Sequence, residues 1–184
     1  MSVYNFLAPA YLPVDENHPT DPLQSYGEEK KLAETCCEDY ARISGMCIPI
    51  LRFSGVYGPG KRAGAVYHFI RAVLRGEDVE IQLNRRIDLV YVQDAAEAMV
   101  AALEGALRIG LEIINIGAGH SVALVELAEL IGRKAGVEMR LDCKAEGNEF
   151  YLDITRARQR LGYHPRTLEE GVTRFMRWVQ EDEA

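Results

Sequence analysis

The sequence predicts an α/β fold. Two kinds of segment alternate along the chain: stretches with apolar residues at helical spacing, and short apolar runs of strand length. Glycines and prolines fall between these segments and mark loops. The chain has 184 residues, of which 48% are apolar and 27% charged, so it can bury a core and has the length of about one domain.

The first elements follow a proline-rich loop over 5–25. Ser25 can cap a helix over 26–44, in which apolar residues recur three and four positions apart until Gly45 stops the pattern. A short apolar run bounded by glycines predicts a buried strand over 46–53. The next residues, 54–60, contain three glycines and Pro59 and are predicted to form a loop.

The remaining elements continue the alternation. Helical spacing predicts further helices, and Glu97 in the first turn of one of them suits the helix dipole. Apolar runs between them predict further strands. The predicted helices cover 63–74, 95–107, 122–135 and 168–179, and the predicted strands cover 79–83, 87–92, 112–116 and 137–141.

Charge and composition exclude several classes of protein. Lys and Arg total 21 against 28 Asp and Glu, a net charge of −7 without a basic stripe, so we expect neither a nucleic-acid nor a membrane partner. We also expect no secretory signal and a cytoplasmic location, because the first residues lack a basic segment and a clean apolar one. The four cysteines and four histidines show no metal-ligand spacing, so no metal site is expected.

Tyr26 and Lys30 form a candidate catalytic pair. They are four residues apart in the first turns of one predicted helix, which places both side chains on the same face. A lysine ammonium beside a phenol favours the phenolate, and such a tyrosine can exchange a proton with a sugar or alcohol hydroxyl. The same spacing occurs on many helix surfaces, so a solvated surface pair is the alternative.

Three further patterns concern phosphate binding. Residues 55–62 nearly match a phosphate-binding loop, but Arg62 replaces the metal-ligating hydroxyl and Pro59 removes an N–H, which favours a tight turn. Residues 115–119 have a partial glycine spacing, consistent with a weak dinucleotide signal or a simple strand-to-helix turn. Arg85 and Arg86 either grip a phosphate or carry surface charge.

The order of the motifs is more specific than any one of them. Ser25-Tyr26-Gly27 is followed by Lys30 and Glu34, and further motifs stand at 51–60, 88–96, 115–117, 161–165 and 168–171. In this order they resemble the NAD-dependent epimerase/dehydratase family, the extended short-chain dehydrogenases that act on nucleotide sugars. The resemblance extends over essentially the whole chain.

The resemblance implies roles for six residues. Tyr26 would be the general acid/base and Lys30 its partner, which also holds the nicotinamide ribose of NAD or NADP. Ser54 and Val56 match the loop that meets the nicotinamide. Gly55 stands at the usual position of a substrate-binding Asn, and Arg86 is adjacent to the usual position of an Arg, which Ile87 occupies. The implied substrate is a nucleotide sugar, and a UDP-sugar is the first candidate.

The resemblance also implies an incomplete family member, the C-terminal part of an extended short-chain dehydrogenase Rossmann-type fold with the first strand–helix units missing. Residues 1–60 would be the remnant of the Rossmann domain that carries the Tyr-Lys helix, and 61–184 the substrate-binding part. Since the glycine-rich turn that binds the pyrophosphate is not in this sequence, we expect the chain alone to bind the cofactor weakly or not at all and to show no turnover.

Two functional interpretations follow. In the first, the chain is the catalytic and substrate half of a nucleotide-sugar epimerase or dehydratase, and acts as a homo-oligomer or with a complementing N-terminal half. In the second, it is a non-catalytic remnant that serves as a nucleotide-sugar-binding or protein-interaction module.

Overall fold

The computed structural model describes residues 2–106, 110–138 and 140–182. Within these ranges, helices and parallel strand pairs alternate along the chain. The helices are α1 (Ser25–Ser44), α2 (Ala65–Arg75), α3 (Val92–Ala101), α4 (Leu124–Ala135), α5 (Thr155–Leu161) and α6 (Leu168–Asp182), and a π-helical segment, Ala102–Ala106, continues α3. The strands are β1 (Ile48–Phe53), β2 (Gly55–Tyr57), β3 (Val79–Ile81), β4 (Asn84–Ile87), β5 (Leu89–Tyr91), β6 (Leu111–Ile116), β7 (Val122–Ala123), β8 (Leu141–Cys143) and β9 (Glu146–Phe150).

The strands pair mostly in parallel. β1 lies beside β6 with Ile48 opposite Leu111 and Phe53 opposite Ile116, β2 beside β5, and β3 beside β8. β4 runs between β7, which is antiparallel to it, and β9, which is parallel. Parallel pairs need crossover connections, and the intervening helices provide them, so the α/β class is confirmed.

The chain changes partner strands at Ser54. The Ser54 N–H donates to the carbonyl of Ile116, 2.9 Å away, and the next N–H, of Gly55, donates to the carbonyl of Asp88 at 3.0 Å. The predicted loop over 54–60 is therefore wrong for Gly55–Tyr57, which form β2. A Cβ at Gly55 would lie 2.9 Å from the Asp88 carbonyl oxygen, so this glycine permits a close approach of two backbones and does not mark a turn.

Two apolar clusters form the core. One lies among α2, α4 and α6, and includes Ile70, Leu127 and Phe175, with Tyr57 from β2. The other surrounds β6. Its members come from both sides of residue 60, and they include Val3, Tyr4, Val14, Val90, Ile114, Ile116 and Leu152. The division into 1–60 and 61–184 stays a prediction.

Most predicted elements are confirmed, with differences at strands. The strand expected over 137–141 is wrong in its position, because the observed β8 starts at Leu141 and pairs with β3. β4, β9 and α5 are additions that were not predicted, and the helix predicted over 122–135 begins only at Leu124, because Val122–Ala123 form β7. The predicted end of the third helix, Leu107, and Met139 within the strand predicted over 137–141 lie outside the described residues, as do Met1, 108–109 and 183–184. None of the helices in the described ranges combines the length and apolar character that a membrane span requires.

Candidate active-site cleft between α1 and β1

A cleft of about 720 Å³ lies between α1 and the extended segment formed by β1 and β2. One stripe of α1 forms its first wall, and the consecutive residues 49–56 form the second. Ser2, Val3 and Lys61 complete the lining. The stripe on α1 follows helical spacing and consists of Tyr26, Lys30, Ala33, Glu34 and Cys37.

Tyr26 and Lys30 lie together at this cleft. Lys30 Nζ is 5.3 Å from the centre of the Tyr26 ring, and the tyrosine is 58% exposed. Gly27 is buried beside them, and a Cβ at this position would lie 2.3 Å from the carbonyl oxygen of Ser2. The first turn of α1 is therefore in direct contact with the backbone of Ser2. This contact fixes the position of Tyr26 and Lys30 along the helix axis.

The opposite wall carries Ser54, Gly55 and Val56. Ser54 is buried, and its hydroxyl makes no hydrogen bond of normal geometry, although it interacts with the carboxylate of Asp88. The structure thus brings five of the six predicted site residues into one cleft: Tyr26, Lys30, Ser54, Gly55 and Val56.

Asp88 organises the base of this wall. Its carboxylate is 1% exposed and accepts the N–H groups of Ala118, at 2.7 Å, and Leu152, at 3.1 Å. Burial raises the pKa of Asp88, while these N–H groups and Ser54 act in the opposite direction. A Cβ at Gly117 would lie 2.5 Å from Asp88 Oδ2. The carboxylate therefore already occupies the turn over 115–119, which favours a structural strand-to-helix turn over a dinucleotide site.

The structure also favours a tight turn over a phosphate-binding loop at 55–62. Lys61 Nζ donates to the carbonyl of Val56 at 2.8 Å, and Arg62 binds both carboxylate oxygens of Asp182 at 3.0 and 2.7 Å. Both basic side chains point to protein partners, and α2 begins only at Ala65. The first half of the motif is strand β2.

Arg86 is not among the residues that line the cleft. It lies in β4, where its guanidinium is 3.2 Å from Glu126 and 3.5 Å from Glu149, and it also bonds Ser121. Two carboxylates thus already compensate its charge. Its role in substrate binding stays a prediction.

The model of the NAD dependent epimerase/dehydratase family matches residues 2–117. The chain belongs to this family. A candidate UDP-glucose 4-epimerase from Methanocaldococcus jannaschii is 38% identical over 95% of this chain and 59% of its own length. The crystal structure of the Thermotoga maritima UDP-glucose 4-epimerase with UDP-glucose superposes with a TM-score of 0.86, at 29% identity, over 97% of this chain and 60% of that one.

A second solved structure is that of a Bacillus cereus UDP-glucuronic acid 4-epimerase in complex with NAD, with a TM-score of 0.79 and 27% identity over 91% of this chain and 56% of that one. This epimerase-family chain therefore spans somewhat over half the length of the relatives it matches. The fold it shares with them is part of theirs.

A buried polar network, to which the motifs assigned no role, lies beside the cleft. Arg52 Nε and Nη2 donate to the two carboxylate oxygens of Glu34 on α1, at 2.9 and 2.6 Å. Arg52 Nη1 donates to the Tyr4 hydroxyl at 2.6 Å, which itself donates to Asn115 Oδ1 at 3.0 Å. The network ties α1, β1 and β6 together beside the cleft.

Charge and burial compete within this network. Burial lowers the pKa of Arg52, but the bonds to Glu34 and Tyr4 raise it, and the net direction is upward. Burial raises the pKa of Tyr4. Two signals in the sequence were available: Arg52 is the one charged residue in the apolar run 48–53, and Glu34 follows Lys30 by one helical turn.

Proposed function

We propose that this chain supplies the Tyr26–Lys30 pair and the substrate-binding part of an NAD- or NADP-dependent nucleotide-sugar epimerase or dehydratase, with UDP-sugars as the first substrate class. The observation that carries the proposal is the cleft in which Tyr26 and Lys30 face Ser54, Gly55 and Val56. Relatives of the chain are named as UDP-glucose 4-epimerases, which supports UDP-sugars as the substrate class.

The proposed chemistry begins with a proton. Tyr26 Oη accepts the proton of a sugar hydroxyl as the O–H bond breaks and a carbonyl forms on the sugar carbon. The positive charge of Lys30 stabilises the negative charge that this oxygen carries before it takes the proton. A bound nicotinamide cofactor supplies the acceptor for the hydride that leaves the same carbon. Epimerisation would be complete when the hydride came back to the opposite face of that carbon and Tyr26 Oη returned the proton to the sugar oxygen.

The residues present fit one end of that cofactor. Tyr26, Lys30, Ser54 and Val56 would hold the nicotinamide and its ribose. The glycine turn at 117–119 is occupied by Asp88 and offers no cradle for the pyrophosphate. We therefore propose that the isolated chain binds NAD or NADP weakly or not at all.

The strand pairing of β1 supports a complementing N-terminal half as the partner. Within the described residues, β1 pairs with β6 alone. The N–H groups of Ile48 and Ser54 point to the β6 side, at 2.9 Å from their acceptors, so the alternation of a strand turns the polar groups of Leu51 to the opposite edge. An extended strand of the partner, added beside Leu51, would pair with this edge and leave open the part of the cleft where Tyr26 and Lys30 face Ser54–Val56.

A homo-oligomer is the second way to cover this side. α1 exposes apolar side chains away from the cleft, including Leu32 at 65% and Ile43 at 77%. A second copy of the chain, or the complementing half itself, would remove them from water.

Calorimetric titration separates the two functional interpretations. The chain is titrated with NAD⁺ and with UDP-glucose, alone and after addition of the part of the Methanocaldococcus jannaschii relative that the match leaves uncovered. We expect no NAD⁺ heat from the chain alone, and NAD⁺ binding with UDP-glucose epimerisation from the complex. Micromolar NAD⁺ binding by the chain alone would contradict the proposed cofactor dependence on a partner.

Tyr26→Phe tests the catalytic role. Loss of the phenolic oxygen is expected to lower kcat in the complex by about 10²- to 10⁴-fold without changing the unfolding temperature, because the side chain is exposed. Tyr40→Phe is the matched control, since Tyr40 lies on the same helix and is 57% exposed. Equal activity of the Tyr26→Phe and Tyr40→Phe complexes would favour the non-catalytic binding module.

A further inference from the structure

Helix α1 is held to the rest of the chain at few points. Of its 20 residues, Gly27 and Ala41 are the buried ones. Gly27 sets the closest approach, where the helix meets the backbone of Ser2. Gly27 and Ala41 are both small, so their contacts fix the position of the helix along its axis more firmly than its rotation about that axis.

A polar contact between Glu34 and Arg52 restricts that rotation further. Glu34 is eight residues after Tyr26 and four after Lys30, so its side chain projects from the same face of α1. Arg52 meets it with two parallel bonds of 2.9 and 2.6 Å, and the two side chains are 6% and 17% exposed for Arg52 and Glu34. The other described polar contact from an α1 side chain to a distant segment is exposed, from Lys31 Nζ to the Thr20 carbonyl.

Arg52 is itself fixed by the sheet. Its Nη1 bonds the Tyr4 hydroxyl, and its guanidinium lies 4.9 Å from the centre of the Tyr4 ring. The Tyr4 hydroxyl bonds Asn115 of β6. The guanidinium plane is therefore set by β6 and by the first residues of the chain, independently of α1.

We propose that Glu34 and Arg52 are positioning residues that set the rotation of α1, so that Tyr26 and Lys30 face Ser54–Val56 across the cleft. The catalytic purpose of this positioning rests on the proposed function, whereas the orientation of the helix can be tested without it. A planar guanidinium that binds both oxygens of a carboxylate defines a direction, whereas a single bond from an ammonium or to an amide does not.

Two adjacent cysteines report the rotation. Cys37 lines the cleft and is half-buried, while Cys36 is exposed, and neighbouring helix positions are about 100° apart. The alkylation rates of both thiols are measured on the full chain, with Cys47→Ser and Cys143→Ser in every background and with either Cys36→Ser or Cys37→Ser added. We expect Glu34→Gln to raise the Cys37 rate several-fold toward that of Cys36, because the cleft-facing thiol becomes accessible.

Glu112→Gln is the matched control. Glu112 also binds an arginine with two bonds, to Arg160 at 2.8 and 2.8 Å, but this pair joins β6 to α5 and does not touch α1. It is expected to leave the ratio of the Cys37 and Cys36 rates unchanged. An unchanged ratio in Glu34→Gln, or an equal change in Glu112→Gln, would overturn the proposal.

Arg52→Lys provides a second variant for the case that Glu34→Gln does not fold, as judged by circular dichroism. Lysine keeps the positive charge but cannot bind both carboxylate oxygens of Glu34 in parallel, so the ratio of the Cys37 rate to the Cys36 rate should again rise. In the complemented enzyme, the same variants are expected to lower kcat more than they raise KM, because a misaligned Tyr26 impairs proton transfer. A complex without any activity would count against the proposed function, while the alkylation ratio would still decide the positioning role.

Discussion

Helices α1 and α2 differ sharply in how much of each is buried. α2 has 11 residues and buries six of them, all apolar or aromatic, against α4 and α6. α1 is almost twice as long and buries only Gly27 and Ala41. The longer helix, which carries the candidate catalytic pair, thus contributes little apolar burial to the folded chain.

The difference shows that α1 contributes little to stability, although it carries the candidate catalytic pair. The centre of the cluster among α2, α4 and α6 is closed off from solvent within this chain, because Ile70, Leu127 and Phe175 are at most 1% exposed. The second cluster borders the cleft through Val3 and Val56, whereas α1 on the other wall is held by its two small buried residues and a few polar contacts. Substitutions in the cluster among α2, α4 and α6 should therefore change the free energy of unfolding, and those on α1 should change alignment and association.

The largest effect on stability is expected from Phe175→Ala. Phe175 is 1% exposed and contacts the rings of Tyr57, Tyr67 and Trp178. Its truncation should lower the free energy of unfolding by about 3–5 kcal/mol, measured by urea denaturation. Leu32→Ala on α1 is the comparison, with a change within about 0.5 kcal/mol, since Leu32 is mostly in water. Similar losses from both variants would show that α1 is covered in the folded chain.

A smaller effect is expected from Asp88→Asn, at the base of the cleft wall opposite α1. The amide oxygen can accept the N–H of Ala118 or that of Leu152, but the amide NH₂ cannot accept the other. One buried donor stays unpaired, which should cost about 1–3 kcal/mol at neutral pH.

The pH dependence of this difference has a definite sign. Burial raises the pKa of Asp88 above its ordinary value of 3.8, so the folded state holds the proton more tightly than the unfolded state. The stability that this proton confers is complete below about pH 3.8 and is lost as the pH rises through the folded-state pKa. The advantage of the native chain over Asp88→Asn should thus shrink with rising pH in the acid range. Urea titrations at several pH values measure it, and an advantage that grows instead would mean that the N–H bonds outweigh burial.

Much of the fold was predictable because the apolar spacing of a helix can be recognised within one segment of the sequence, without knowing its partners. The pattern over 26–44 gave α1 to within one residue, and the Tyr26–Lys30 spacing was visible in it. β2 was not predictable from its own residues, because Gly55 and Gly58 read as turn signals, and its strand character comes from pairing with β5. β9 is similarly hidden, since its polar residues become a strand only beside β4.

The candidate site divides in the same way. Ser54, Gly55 and Val56 were assigned through motif order, and the structure brings them to the cleft with Tyr26 and Lys30. The positions of Arg52 and Asp88 could not be read from spacing. Their partners Glu34 and Leu152 are far away in the sequence, and long-range side-chain bonds leave no periodic signal. Arg86 is the opposite case: the sequence pattern was visible, but it did not reveal that Glu126 and Glu149 already pair with this arginine.

The smallest effect on stability is expected from Leu32→Ser, and here association is the informative quantity. The side chain is 65% exposed, so the free energy of unfolding should change by no more than about 0.5 kcal/mol. If a second copy covers this face of α1, sedimentation velocity should show concentration-dependent self-association of the native chain, and Leu32→Ser should shift it toward monomer. Val137→Ser is the control, since Val137 is 47% exposed but lies outside α1, and it should leave the distribution unchanged. A native chain that stays monomeric at all concentrations would leave the complementing half as the remaining proposed partner for this face, because the exposed leucine would then have no copy of the chain to bind.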